Sequence, residues 1–233
     1  MRQLIKDIIK RTPVLGEFVT QIYWTKLARN RPPEPFPGSV TYWEQRYLEG
    51  GDSGVGSYGS FAKFKADVLN KFVAEHNVQS VIEFGCGDGA QLGLANYPSY
   101  KGFDVSGTVI SKCKERYESD PTKSFGLLNE YRQDKTDLTL SLDVVYHLVE
   151  DSIFENHMTL LFGASQRYVI IYSSDSDDNR GYEGTYVRHR KFTRWIQDNM
   201  RGWKLREHLP NEYRYRGDYR TGSFADFFIY EKA

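Results

Sequence analysis

Three glycines on alternate positions constrain this chain more than any other feature. They lie in Ser80-Val81-Ile82-Glu83-Phe84-Gly85-Cys86-Gly87-Asp88-Gly89, and Lys101-Gly102-Phe103-Asp104-Val105-Ser106 follows. The apolar, β-rich start halts at Gly85, which predicts a strand, a tight turn and then a helix over residues 90–96. Glycine at such a turn lets the backbone bend sharply and come close to a bound ligand, where a Cβ would block it. Asp104 ends the next predicted strand, fifteen residues after Gly89. A carboxylate at that tip can accept hydrogen bonds from both ribose hydroxyls of a nucleoside. The expected setting is the carboxyl edge of a parallel sheet, where doubly wound folds bind ligands.

Two nucleotide cofactors fit a strand–glycine–helix–strand–Asp unit. The dinucleotide fingerprint is G-x-G-x-x-G, whereas Gly85-x-Gly87-x-Gly89 is one residue shorter and Glu83 stands two residues ahead of it. The order E-x-G-x-G-x-G resembles motif I of the class I S-adenosylmethionine (SAM)-dependent methyltransferases. That resemblance implies a loop passing under the methionine part of SAM, with the acid after the second strand on the ribose. A nicotinamide enzyme and an ordinary strand–helix turn are the alternatives.

Composition narrows the class. With 233 residues the chain is long enough for one large domain with a proper core. Its 31 basic and 31 acidic residues cancel, so the global basic field of a nucleic-acid binder is missing. Aromatic residues reach 15%, enough to fill a core and still face a sugar or nucleoside. Cys86 and Cys113 suggest neither a disulfide framework nor a zinc site, and a reducing cytoplasm is expected. No eighteen-residue apolar run predicts a spanning helix, and no continuous apolar stretch predicts a secretory signal.

Residues 1–31 carry seven Lys and Arg against Asp7 and Glu17, with Leu4, Ile5, Ile8 and Ile9 on one helical face. Such a basic amphipathic helix can lie on an anionic membrane, dock on a partner or pack on its own domain. Residues 31–38 hold four of the eight prolines, a semi-stiff linker. The domain proper is therefore expected over residues 39–233, after an N-terminal extension of residues 1–38. A glycine-dense loop over residues 50–59 feeds a helix over residues 60–76, whose core stripe is Phe61, Phe64, Val68, Leu69 and Phe72.

Beyond Asp104, a helix over residues 109–117 leads to a short strand at residues 124–128. The run from Leu138 reads as a buried parallel strand, the fourth. A helix over residues 153–163 and a fifth strand at residues 168–174 continue the alternation. The polar insert 175–184 leads to Arg188-His189-Arg190-Lys191 at the start of a helix over residues 192–200, cations that would welcome an anion. Two strand-like runs, 203–209 and 223–231, close the chain. The loop between them alternates Tyr213, Tyr215 and Tyr219 with Arg214, Arg216 and Arg220.

Ser141-Leu142-Asp143-Val144-Val145-Tyr146-His147 is similar to the post-strand motif of the same methyltransferases, often written L-x-D-V-x-x-H. The closing hairpin is characteristic of their sheet. The resemblance covers residues 40–233 and implies an α/β, doubly wound, Rossmann-like seven-stranded sheet with an antiparallel C-terminal hairpin, preceded by a helical extension. It implies S-adenosyl-L-methionine as cofactor, held by Tyr58 in the glycine lid, Glu83, Gly85, Cys86, Gly87, Gln91, Asp104, Val105, Ser106, Ser141, Leu142 and Asp143. The lid, the strand motif and Val187-Arg188-His189-Arg190 further resemble a bacterial group associated with surface-polysaccharide genes. From that likeness the expected acceptor is a sugar or lipid-linked glycan hydroxyl at the inner membrane face.

Methylating such a hydroxyl requires removal of its proton, a task suited to a neutral histidine. His147 is the first candidate base and His189 the second. Arg188, Arg190, Arg214, Arg216 and Tyr215 would recognise an acidic or phosphorylated acceptor. Methylation of a small molecule, RNA or protein is the rival activity, and a catalytically idle SAM-binding scaffold the rival from another class. No tight spacing of acids and histidines predicts a metal site.

Overall fold

Two runs in the second half of the chain, Tyr168–Tyr172 and Phe227–Tyr230, are apolar at consecutive positions, so both sheet faces must be covered there by helices. In the computed structural model, which describes residues 35–233, that is how the chain folds. Helices α1 (Ser39–Leu48) and α2 (Gly59–Glu75) precede β1 (Val81–Phe84). Then follow β2 (Tyr100–Asp104), α3 (Gly107–Arg116), β3 (Lys123–Leu127), β4 (Thr136–Leu142) and α4 (Asp151–Ala164). The chain ends with β5 (Ser165–Ser173), α5 (Phe192–Asn199), β6 (Trp203–Leu209) and β7 (Asp226–Lys232). The predicted basic helix within residues 1–31 and the first part of the proline-rich linker lie outside the described residues.

The seven strands make one sheet in the order β3-β2-β1-β4-β5-β7-β6. β1 to β5 are parallel, β7 runs antiparallel to β5, and β6 antiparallel to β7. This is the predicted doubly wound sheet with its closing hairpin. Period-two alternation sorts the side chains into two cores. Leu138, Leu140, Ile170, Tyr172 and Phe227 pack with Leu69 and Phe72 of α2 and Ile110 of α3. Ile82, Phe84, Val169, Ile171 and Phe228 pack with Met158 and Leu161 of α4 and Ile196 of α5. Strand order reverses between β1 and β4, the point at which a crevice opens beyond the carboxyl ends of such a sheet.

Two local expectations change. Residues 90–96 form no α-helix, only a 3₁₀ turn at Gln91–Leu94. Gly93 and the nearby Pro98 leave too short a run to repay nucleation, and Asn70 Oδ1 takes the N–H of Asn96 instead. The core stripe of α2 also contains a charge: Lys65 is 1% exposed, between Phe61 and Leu69.

Candidate active site

The loop after β1 has the geometry its glycines predict. Gly85 and Gly87 adopt φ of +87° and +56°, in the region that penalises any Cβ. A Cβ on Gly85 would stand 2.4 Å from Val144 Cγ2, and one on Gly87 2.3 Å from Ser53 Oγ. With no α-helix behind it, the loop is tied down by α3. Cys113 Sγ, Arg116 and the Tyr117 hydroxyl donate to the carbonyls of Gly87, Asp88 and Gly89. Asp104, buried at the tip of β2, accepts the N–H of Gly87 on Oδ2 and of Ser106 on Oδ1, each at 3.0 Å. Burial raises its pKa, and those backbone donors oppose the rise.

Beside this loop lies a cavity of about 1000 Å³ counted out to its open mouth. Of the residues singled out in the sequence, Glu83, Gly85, Cys86, Gly87, Gln91, Asp104, Val105, Leu142, Asp143 and His147 line it. Glu83 accepts a 2.6 Å hydrogen bond from the Tyr100 hydroxyl. Burial pushes its carboxyl up to about 7, against the pull of that hydroxyl and of Lys65. Lys65 Nζ pairs with Asp143 Oδ2 at 2.5 Å, and the Tyr146 hydroxyl donates to Asp143 Oδ1 at 2.7 Å. Gln91 donates its amide to the Ala62 carbonyl, while its Oε1 is buried without a hydrogen-bond partner. An acceptor left in that state costs about 1–3 kcal/mol, so the cavity wall carries an open demand for a donor.

His147 closes one side of the cavity. Its Nδ1 lies 3.0 Å from the Tyr186 carbonyl; because a carbonyl only accepts, Nδ1 carries the proton and the neutral ring keeps its lone pair on Nε2. Burial lowers the His147 pKa to about 4, despite the carbonyl contact and nearby Asp143. Trp43 stands edge-on to the imidazole at 4.9 Å, and Tyr186, stacked on Tyr42, lies over it at 5.4 Å. Helix α1 is moored on both sides of the opening. Ser39 bonds Glu150 and the His147 carbonyl at one side, and Glu44 accepts from Thr108 of α3 at the other.

Other predicted site residues fall elsewhere. The glycine-dense loop does sit on the β1 loop, but through Ser53, whose N–H reaches Asp88 Oδ2 and whose Oγ accepts the Asp88 N–H. Tyr58 spends its hydroxyl on Asp88 and is not in the cavity wall. Ser106 is instead the N-cap of α3, accepting from the Val109 N–H. Ser141 points to the opposite face of β4, 2.8 Å from His157 Nε2. His189 is buried behind Tyr146, with Nδ1 2.6 Å from Ser174 Oγ, outside the cavity.

The arginines are committed as well. Arg188 and Arg190 both bind Asp151 and the Val149 carbonyl, and Arg190 lies over the Phe154 ring, so they pin the start of α4. Arg214 pairs with Asp226. Arg216 is exposed, and Tyr215 packs on Phe224; neither reaches the cavity. The acidic-acceptor expectation thus loses the arginines on which it rested. Conversely, the sequence reading missed Trp43, Tyr47, Leu128, Asn156 and His157 in the wall. Only Leu128 had a signal, its place just past a parallel strand.

No protein-family model matches the chain. Among curated proteins, EEF1A lysine methyltransferase 4 of Mus musculus is 32% identical over 87 residues, which are 36% of this chain and 33% of that protein. The matched stretch thus spans about a third of the relative's length. Among solved structures, the N-methyltransferase NodS from Bradyrhizobium japonicum WM9, in complex with S-adenosylhomocysteine (SAH), superposes with a TM-score of 0.65 at 14% identity, covering 84% of this chain and 98% of that one. The magnesium protoporphyrin IX methyltransferase ChlM from Synechocystis PCC 6803, with bound SAH, gives 0.61 at 15% identity, covering 83% and 98%. The chain has the Rossmann-like fold of class I SAM-dependent methyltransferases.

Proposed function

We propose that this protein is a SAM-dependent methyltransferase that methylates a hydroxyl of a sugar or glycan. The observation that carries the reading is one continuous cavity, with a cofactor-type loop at one end and a tautomer-fixed neutral histidine at the other. The residues present fit the cofactor. Asp104 is the acceptor for ribose hydroxyls, the left-handed Gly85 and Gly87 permit close approach, and Gln91 Oε1 is a buried acceptor in need of a donor. Glu83 and the Lys65–Asp143 ion pair line the same wall and give the amino-acid end of the cofactor polar partners.

When bound, SAM supplies a sulfonium-activated methyl group. What remains for the chain is positioning, exclusion of water and removal of one proton. Trp43, in the cavity wall, offers an aromatic surface to a sugar ring beside His147. His147 takes the hydroxyl proton on Nε2, and its Nδ1–H stays on the Tyr186 carbonyl throughout. The Lys65–Asp143 pair holds the β4 tip in its left-handed turn. Asp143 has φ of +59°, and a Cβ on Gly56 would stand 2.8 Å from its Oδ2.

A screen for SAH release with pooled sugars, nucleotide sugars and lipid-linked glycans tests the reading. Turnover with a sugar acceptor that collapses in His147→Ala is expected; release only with non-sugar acceptors would refute it. Lysine methylation is a second reading, favoured by the local match to the mouse enzyme, and peptide acceptors in the same screen decide between them.

A further inference from the structure

A second depression opens at the carboxyl end of β5, between the insert that follows that strand and the β6–β7 hairpin. It is a groove of about 1350 Å³ counted out to its mouth, and the site described above does not use it. Its chemistry is specific. Tyr182, Tyr215 and Phe224 form an aromatic wall, with Phe224 edge-on to His189 at 4.8 Å and against Tyr215 at 5.9 Å. Leu205, 49% exposed, adds apolar surface on the hairpin side.

Three carboxylates share the groove, and each already faces a basic side chain. Asp178 pairs with Arg180 at 2.5 Å, Asp226 with His208 at 2.9 Å, and Asp175 with Lys191 at 3.3 Å. Asp226 also pairs with Arg214 at 3.6 Å, so each carboxylate has a permanent cation beside it, which weakens the attraction for an ionic ligand. Each carboxylate still keeps lone pairs that can accept from hydroxyl groups. Aromatic faces beside neutralised, hydrogen-bonding carboxylates are the surface that a neutral carbohydrate matches, with C–H faces for the rings and hydroxyls for the oxygens.

Position links the groove to the active site. Tyr146 and Phe224 are the partition between them. Tyr146 lies 4.5 Å from His147 on one side and 6.3 Å from His189 on the other, and Phe224 stands 4.9 Å from Tyr146. A chain of sugars with one unit at His147 would need to pass two aromatic side chains, Tyr146 and Phe224, to enter the groove.

We propose that this groove binds a neutral oligosaccharide, the part of the acceptor that extends beyond the methylated unit. The proposal rests on the sugar-hydroxyl reading above and adds to it a second subsite and a neutral acceptor chain. To test it, the labelled full chain is applied to a printed array of short neutral hexose and deoxyhexose oligosaccharides, with uronate-bearing ones beside them. The best binder is then measured by calorimetry. Neutral chains should bind, and Tyr215→Ala and Asp178→Asn should each weaken them about tenfold while SAH affinity stays unchanged. No neutral binder, preference for uronates, or equal affinity in wild type and both variants overturns the groove. Glycan binding without any SAH release from sugars would leave the groove standing and remove the proposed function. Methylation of single sugars, with groove variants indifferent to chain length, would do the reverse.

Discussion

Glu83 offers a quantitative test of how the cavity is built. Its carboxyl is buried on β1 and titrates near 7 in the folded protein, against a reference of 4.5. A raised carboxyl pKa favours the neutral form on folding. Its stabilising contribution is therefore complete below the unfolded pKa and is lost as pH rises through the folded one. Integrating between those two values, with one pKa unit equal to about 1.36 kcal/mol, the loss between about pH 5 and pH 8 is about 2.5 kcal/mol. Glu83→Gln removes the titration while retaining an amide oxygen that can accept from the Tyr100 hydroxyl. Relative to wild type, the variant should therefore gain about 2.5 kcal/mol in going from pH 5 to pH 8. Urea unfolding of both proteins across that range, followed by tryptophan fluorescence, measures the difference directly. If it is flat with pH, Glu83 is ionised in the folded state throughout, and the picture of a carboxyl kept neutral by burial is wrong.

Asp104→Ala should weaken SAH binding by at least about a hundredfold, since two charge-assisted hydrogen bonds at about 1.5–3 kcal/mol each are at stake; calorimetry checks it. His147→Ala should lower turnover by about 10²–10⁴-fold with cofactor affinity nearly intact. Because burial holds the His147 pKa to about 4, the acid limb of the wild-type rate profile should lie near that value; a limb near 6.5, the unperturbed value, would count against this base. Lys65→Met leaves the partly buried Asp143 without its cation and should cost up to about 3 kcal/mol in denaturant unfolding. The sequence of residues 1–31 calls for weak, salt-sensitive membrane attachment, so the full chain should co-sediment with anionic liposomes and a chain starting at Pro37 should not; equal recovery would dismiss that role.

The sheet and the cofactor end of the site were legible in the sequence because their signals are local. Gly85, Gly87 and Asp104 announce themselves through spacing along one strand–turn–strand unit, β4 through leucines at alternate positions and β5 through an apolar run at Tyr168–Tyr172. The hairpin needed only two more strand-like runs. Side-chain partnerships were not legible, since they are settled by which segments the fold brings together. Lys65 reads as a polar gap in an apolar stripe until α2 packs on the sheet and meets Asp143, 78 residues along the chain. Arg188 and Arg190 read as anion ligands until the start of α4 presents Asp151, and the segment before it the Val149 carbonyl, to both. Ser141 and Leu142 are neighbours in one motif, yet alternation along β4 turns Ser141 to His157 of α4, and only Leu142 of the two enters the cavity wall. His147 and His189 look interchangeable as bases. Only packing separates them, because Tyr146 stands between the two rings and leaves His147 alone on the cavity wall. Backbone periodicity is written in neighbouring residues; the pairing of charges and hydrogen bonds depends on distances that only the closed sheet defines.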